Sequence, residues 1–421
     1  MTTFGRVLVW VGLLLAVAVV PCVRAQTVAV VNARIVAGPE AAPIPRGTLI
    51  VRDGKIAAFG DAGSVPVPEG MTVLDAGGGT LVAGFWNSHV HLIAPPLDHA
   101  AGHADDVLSD ALTGAYLRWG FTTVFDIASA PGNAFGLRAR IAAGAVRGPA
   151  ILTVDEPFFP KDGVPDYVPD TLGGWSLRQA EVATADEASA RARRQLAQGA
   201  DGVKMFAGSM VGGEIGVLPM DLDIARAVAA AARDVGKPAF AHPSNTEGME
   251  VAMAAGVTVL AHTTPNIDPW SEALVRRLVD ADIALVPTLA LINVEARREG
   301  APAAVLERLL ANGSDQLRAF SAAGGDVLFG TDAGYAEVYD TRDELRLMHA
   351  AGLDWRRLLA SLTTTPVRRF GQAARKGRIA EGMDADLVIL SRDPAADVEA
   401  FADVRYTLIA GRVVHAAEAV R

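Results

Sequence analysis

The chain has 421 residues, half of them apolar and a fifth charged, with a formal charge of -10 at pH 7. That length and apolar content suit one large domain and a smaller one with well-buried cores, far from the composition of disordered chains. An acidic balance without long runs of Lys or Arg argues against nucleic acid or an anionic membrane surface as a partner.

Residues 1–25 read as an export signal. Arg6 supplies the positive start, Val7 to Val20 is an apolar run, and Val23-Arg24-Ala25 offers small residues where a signal peptidase cuts. The run falls short of the roughly 20 apolar residues of a membrane span. Cleavage after Ala25 leaves Gln26 first, predicts a periplasmic or secreted protein with no stable membrane span, and takes the net charge to about -12. The one cysteine, Cys22, lies in this segment, and Pro21 before it makes a poor lipobox, which disfavours a lipid anchor. The mature chain then has no disulfide and no thiolate ligand or nucleophile.

From Val28 to about Leu81 the pattern is short strands with tight turns: Val28 to Val36, Thr48 to Val51, the turn Asp53-Gly54, and Lys55 to Phe59. The C-terminus repeats it, with Ala385 to Leu390 and a second hairpin, Tyr406 to Ile409, Ala410-Gly411, Arg412 to His415. Neither segment can bury its own face, so residues 26–81 and 372–421 are expected to pair into one small β-sandwich domain.

Residues 82–371 alternate strand-length apolar runs with Ala/Leu/Arg-rich helical stretches, the α/β pattern of a parallel sheet covered by helices. Eight strands are read: Phe85 to His91, Thr122 to Ile127, Ala150 to Val154, Gly202 to Phe206, Ala239 to His242, Val257 to His262, Ile283 to Leu289 and Val327 to Asp332. Helices are expected over Thr184 to Gln198 and Leu222 to Val235, the latter stopping at Gly236 before Pro238. Eight such units predict a closed (β/α)8, TIM-like barrel.

Function in that architecture sits at the C-terminal strand ends. Strand one ends in His89 and His91, two residues apart and so on one strand face, with Phe85 and Asn87 expected beside them. Two imidazoles so spaced can hold one metal, although satisfied polar residues at a strand end read the same way. Strand four carries Lys204, strand five ends in His242, strand six in His262 and strand eight in Asp332. Of the eight histidines, His99 and His103 follow strand one, while His349 and His415 are expected to be structural.

With these residues the sequence resembles the amidohydrolase superfamily of metal-dependent hydrolases, in particular its imidazolonepropionase-like and prolidase-like branch. The resemblance runs from Val30-Val31-Asn32-Ala33-Arg34-Ile35 to Lys376-Gly377-Arg378-Ile379-Ala380-Glu381-Gly382-Met383-Asp384-Ala385-Asp386-Leu387-Val388. Its most specific motifs are Gly84-Phe85-Trp86-Asn87-Ser88-His89-Val90-His91, Ala200-Asp201-Gly202-Val203-Lys204, Phe329-Gly330-Thr331-Asp332, and the pairs Ala241-His242 and Ala261-His262. Ala83 departs from it, standing where the family usually has proline.

The resemblance implies a site of two divalent metal ions. His89, His91 and Asp332 would hold one, His242 and His262 the other, and Lys204, carboxylated by carbon dioxide, would bridge them. Nitrogen and oxygen ligands without sulfur suit zinc, with manganese, iron and cobalt not distinguished. An apolar setting would favour the neutral amine of Lys204 that carboxylation needs; the plain alternative is a lysine paired with Asp201. Asp332 would serve as acid and base toward water activated by the metals, against a plain role as a helix cap.

Substrate is less legible. The loop Asp155 to Leu177 holds Phe158, Phe159, Tyr167, Trp175 and four prolines, which suggests a wall over the mouth or simple packing onto the barrel. A Gly-rich loop, Ala207 to Leu218, follows Lys204. Strand two ends in Asp126 and no arginine, so a residue to grip a dipeptide carboxylate is not evident. The expected activity is hydrolysis of an amide, cyclic amide or lactone-like carbonyl in a small molecule. An Xaa-Pro dipeptidase, an N-acyl-amino-acid hydrolase and a catalytically silent metal-binding relative are the alternatives, and a homo-oligomer stays open.

Overall fold

The structure is a computed structural model that describes residues 27–265 and 269–418. The expected signal peptide and Cys22 lie outside the described residues. No helix among the described residues is long and apolar enough to cross a membrane.

The two ends of the chain meet in one mixed sheet of eight strands. Its order is Arg412–Ala416, Val404–Ile409, Leu387–Leu390, Thr80–Ala83, Val28–Ile35, Ile44–Arg52 and Lys55–Asp61, with Thr72–Asp75 also paired to Val28–Ile35. Both expected hairpins form. Asp53 and Gly54 (φ 49° and 74°) and Ala410 and Gly411 (φ 47° and 74°) make two-residue left-handed turns, whose twist matches that of the flanking strands. The expected two-layer sandwich is replaced in the hydrogen bonding by a single ladder. Thr80–Ala83 pairs with Leu387–Leu390 on one side and Val28–Ile35 on the other, so the segments share backbone bonds. Val30, Leu49, Leu81, Leu387 and Leu408 bury the face of this sheet, each stabilising by about 1.5–3 kcal/mol.

The middle of the chain is a mixed α/β fold. Phe85–Val90, Phe121–Asp126 and Ala150–Thr153 form one parallel sheet; Val203–Phe206, Ala239–His242, Val259–Ala261 and Ala284–Val286 form another. Helices intervene as expected. Thr184 Oγ1 accepts from Glu187 N at 3.2 Å to start Ala185–Ala197, and Asp221 caps Leu222–Arg233. A few backbone bonds join the sheet edges, among them Phe158 N to Lys204 O (2.8 Å) and Phe206 N to Phe158 O (2.9 Å), Leu285 N to Asp326 O and Leu328 N to Leu285 O (both 2.9 Å), and Ser88 N to Phe329 O (2.8 Å). Among the described residues no continuous ladder closes the sheet.

Two expectations fail in instructive ways. The run Val327 to Asp332 makes no regular strand and only an isolated bridge from Val327 to Leu285. Phe329 N bonds to Ser361 O at 3.1 Å and Asp332 turns left-handed (φ 58°), which breaks the ladder. In strand one, His89 and His91 do converge, but Phe85 is not on their face. Phe85 packs toward the helices against Phe401, while Trp86 stacks on Phe370, which joins Phe125, Phe240, Val259 and Leu328 on the opposite side of the strands. A register shift between Asn87 and Val90 reverses the alternation, and Asn87 Oδ1 accepts from His89 N at 3.2 Å within it.

Candidate metal centre

That register shift turns His89 and His91 inward, and the backbone beyond Phe329 brings Asp332 to meet them. Asp332 N donates to His89 O at 2.9 Å and His91 N to Ala333 O at 2.8 Å. Two glycines make this approach feasible. A side chain on Gly330 would lie 2.7 Å from His89 Cβ, and one on Gly334 (φ 104°) 1.8 Å from His91 O.

His89 Nε2 and His91 Nε2 face each other at 3.2 Å, and Asp332 Oδ1 lies 3.2 and 2.8 Å from them. The three ligand atoms lie within 4.8 Å of one another. Asp332 Oδ2 faces His262 Nε2 at 3.9 Å. The His262 ring sits 4.6 Å from that of His89 and 4.7 Å from that of His242, while His242 stacks on Phe206 at 4.9 Å. Lys204 is 1% exposed, with its Nζ 5.4 Å from the Phe206 ring. All six predicted residues thus lie together. His91, Lys204, His242, His262 and Asp332 line one cavity of about 120 Å³, with His89 buried beneath.

Protonation states suit cation binding. Burial pushes His89 down to about 4 and His242 to about 3, and holds His262 well below the usual imidazole range. Burial opposes ionisation of Asp332, but the imidazoles of His89 and His91 outweigh it and hold its carboxyl well below the usual carboxylate range. Neutral imidazoles beside an ionised carboxylate are the state that metal ligation requires. Asp332 Oδ1 has no well-directed donor despite its short contacts, and two facing imidazole nitrogens need a proton or a cation between them. On these observations the donor set fits a divalent metal. His91 Nδ1 meets Ala128 O at 3.0 Å and His262 Nδ1 meets Thr288 Oγ1 at 2.6 Å, which leaves Nε2 of each for the site.

The plain alternatives do not hold. Asp201 pairs with Arg138 and Lys237, and no carboxylate among the described residues lies within ion-pair distance of Lys204 Nζ. Burial lowers the Lys204 amine to about 7, against the opposing pull of Asp332. Asp332 starts no helix. Asp126, read at the end of strand two, is buried and accepts from Ser129 Oγ and Thr153 Oγ1 (both 2.7 Å) and Leu92 N (3.1 Å), so it braces the backbone behind His91. His99 and His103 are exposed on a short 3-10 turn.

The 155–177 loop does both things expected of it. Phe158 is buried under Arg191, whose guanidinium lies 3.9 Å over the ring, and Phe159, Leu172 and Leu177 form a small core with Phe206. Phe159, Tyr167, Leu172 and Leu177 also wall the cavity, and Met210, from the hairpin that the Gly-rich loop forms, joins them. Sequence reasoning missed the far wall: Leu291 and Glu295 on helix Leu289–Arg298, and Tyr335. Arg298 donates to Tyr335 Oη at 2.9 Å and lies 3.2 Å from Glu295 Oε1; the Tyr167 and Tyr335 rings meet edge-on at 5.7 Å. Burial raises the Glu295 carboxyl, with Arg298 opposing. The one available signal was that Tyr335 lies three residues after Asp332.

Comparison with solved structures shows the same fold at low identity. A Xaa-Pro dipeptidase with methionine bound in its active site is 21% identical with a TM-score of 0.77, over 92% of this chain and 99% of that one. Molinate hydrolase is 20% identical with a TM-score of 0.77, over 93% and 95% of the two chains. Phenylurea hydrolase B is 23% identical with a TM-score of 0.74, over 92% and 96%. No curated protein matches the chain. The profile of the amidohydrolase family matches residues 80–414, which include strands Thr80–Ala83, Leu387–Leu390 and Val404–Ile409 of the terminal sheet and all six residues of the candidate metal centre, and the chain belongs to that family.

Proposed function

We propose that the protein is a metal-dependent hydrolase that cleaves an amide, cyclic amide or lactone-like carbonyl bond in a small molecule with an apolar portion. The observation that carries this reading is the convergence of His89 Nε2, His91 Nε2 and Asp332 Oδ1 at the floor of a cavity that Lys204, His242 and His262 also face. His89, His91 and Asp332 would hold one divalent ion and His242 and His262 a second, zinc by ligand type, with carboxylated Lys204 between them. A buried amine lowered to about 7 supports the last point, since only neutral amine adds carbon dioxide. Cations held there would lower the pKa of water and polarise the scissile carbonyl.

The chain's own residues supply the rest. Asp332 Oδ2 lies free of the short contacts of Oδ1, takes the proton of the attacking water and delivers it to the leaving nitrogen or oxygen. Phe159, Tyr167, Leu172 and Leu177 exclude water and hold the apolar part of the substrate. Around this site we read the eight units as a closed (β/α)8 barrel of residues 82–371, supported by the backbone bonds between the sheet edges. The 26–81 and 372–421 segments form a second domain, and residues 1–25 an export signal.

Dipeptidase or N-acyl-amino-acid hydrolase activity is the second reading. Tyr167 and Tyr335, with Arg298 behind, supply polar groups on the far wall that the sequence did not reveal. Hydrolysis of N-acyl amino acids, dipeptides, lactones and cyclic amides, each with and without chelation, separates the readings. Turnover of none of them by metal-loaded enzyme would favour a silent binding relative.

A further inference from the structure

Strand seven has no metal-ligand residue at its end, yet its backbone there is the most unusual on the rim. Thr288, a β-branched residue 2% exposed, adopts a left-handed conformation (φ 46°, ψ 47°) that such residues rarely take. Its Oγ1 lies 2.6 Å from His262 Nδ1. Thr288 also begins helix Leu289–Arg298, which has no capping side chain of its own. The free N–H groups of that helix are met from another element: Glu344, 1% exposed, accepts from Ala290 N at 2.6 Å, with Leu289 N beside it. No cation among the described residues pairs with Glu344.

We propose that Thr288 is a positioning residue for His262, and that Glu344 acts through it by clamping the start of helix Leu289–Arg298. The physical reason is the tautomer. His262 offers Nε2 to the site only if Nδ1 carries the proton, and a hydroxyl 2.6 Å from Nδ1 stabilises that form by accepting it. Without the hydroxyl, a buried Nδ1–H is left unpaired and the ring shifts toward the tautomer whose Nε2 is already protonated. The hydroxyl reaches Nδ1 because the left-handed turn aims it there. The turn is held by the helix behind it, from whose first N–H groups Glu344 accepts hydrogen bonds. The same helix carries Leu291 and Glu295 into the cavity wall, so Glu344 sets one ligand and one wall together.

This inference rests on the metal-site reading above, and metal affinity separates the two. Full-length protein stripped of metal is titrated with zinc against a chromophoric chelator for wild type, Thr288→Val, Thr288→Ser and His89→Ala, with thermal melting as the check on folding. Thr288→Val keeps shape and loses the hydroxyl; zinc affinity is expected to fall about 10–100-fold, and Thr288→Ser to restore most of it. Should Thr288→Val not fold, Thr288→Ala against Thr288→Ser makes the same contrast. Wild-type affinity in the variant without the hydroxyl overturns the role of Thr288. Absence of zinc binding in wild type, or unchanged binding in His89→Ala, overturns the metal site itself. Glu344→Leu, which removes the acceptor oxygens, should weaken zinc binding in the wild-type background and add nothing to Thr288→Val; unchanged affinity, or additive losses, overturn the link through Thr288.

Discussion

The terminal sheet and the cavity rim put their irregularities to different uses. In the sheet, irregularity stays local: the ladders shift register at a few bulges and Asp53 and Ala410 are left-handed, but these serve hairpins that fall where Asp53-Gly54 and Ala410-Gly411 put them, and apolar residues bury one core. At the rim almost every local rule is broken. The register shifts between Asn87 and Val90, strand eight has no regular ladder, and five residues other than glycine just after strand ends, Asp155, Ser244, His262, Thr288 and Asp332, are left-handed (φ 68°, 52°, 79°, 46° and 58°). Such conformations cost about 1–3 kcal/mol each and persist only where surrounding structure imposes them. Regular structure therefore pays for irregular structure, and the irregular part gathers the chemistry-bearing side chains.

The largest effect should come from the rim. Asp332→Asn keeps the shape and most of the ligand geometry but removes the proton acceptor; kcat is expected to fall on the order of 10² to 10⁴-fold while the protein stays folded. Near-normal kcat would remove its assigned role.

Paired glycine substitutions sharpen the contrast further. Gly334→Ala forces a methyl against His91 O in a left-handed backbone and should cost about 3 kcal/mol in denaturant unfolding together with weaker metal binding. Gly54→Ala meets only Ala410 Cβ at 3.2 Å and should cost about 1–2 kcal/mol with metal affinity unchanged. If both variants lost metal affinity equally, sheet and rim would not be separable units.

The smallest effect is a matter of pH. Burial raises the Glu344 carboxyl to about 7, above the ordinary value of 4.5, even though Ala290 and Leu289 donate to it. The folded state therefore binds this proton more tightly than the unfolded chain does. Its stabilising contribution is fully present below the ordinary carboxylate range and is lost as pH rises through about 7. Melting temperatures between pH 5 and 8, on the order of that window, should fall more for wild type than for Glu344→Gln; parallel curves would show that Glu344 does not titrate there.

What the sequence made legible follows the same division. Capped helices such as Ala185–Ala197, and both hairpins, obey short-range rules and were readable from Thr184, the stop at Gly236 and the turn pairs. Five of the six candidate site residues were readable because they are of ligand type at or near the ends of apolar runs, while Lys204 gained its role only from the family resemblance. The face of Phe85 was not, since a register shift leaves no mark in a period of two. Thr288 lies within the seventh run, one residue before its end, and is not of ligand type, so nothing in its identity pointed to His262. Glu344 reads from sequence as an ordinary acid in the first turn of Arg342–Ala350, and only packing makes it a buried clamp. The terminal segments share one sheet, and whether such segments meet at an edge or only across a face depends on where Thr80–Ala83 sits, which no local pattern specifies.

Metal content tests the central claim most directly. Wild-type protein and His89→Ala, purified alike and dialysed without chelator, are analysed for bound transition metals after equilibration with zinc. The geometry predicts stoichiometric metal in wild type and a clear loss in His89→Ala. Substoichiometric metal in wild type together with unchanged content in His89→Ala would contradict it.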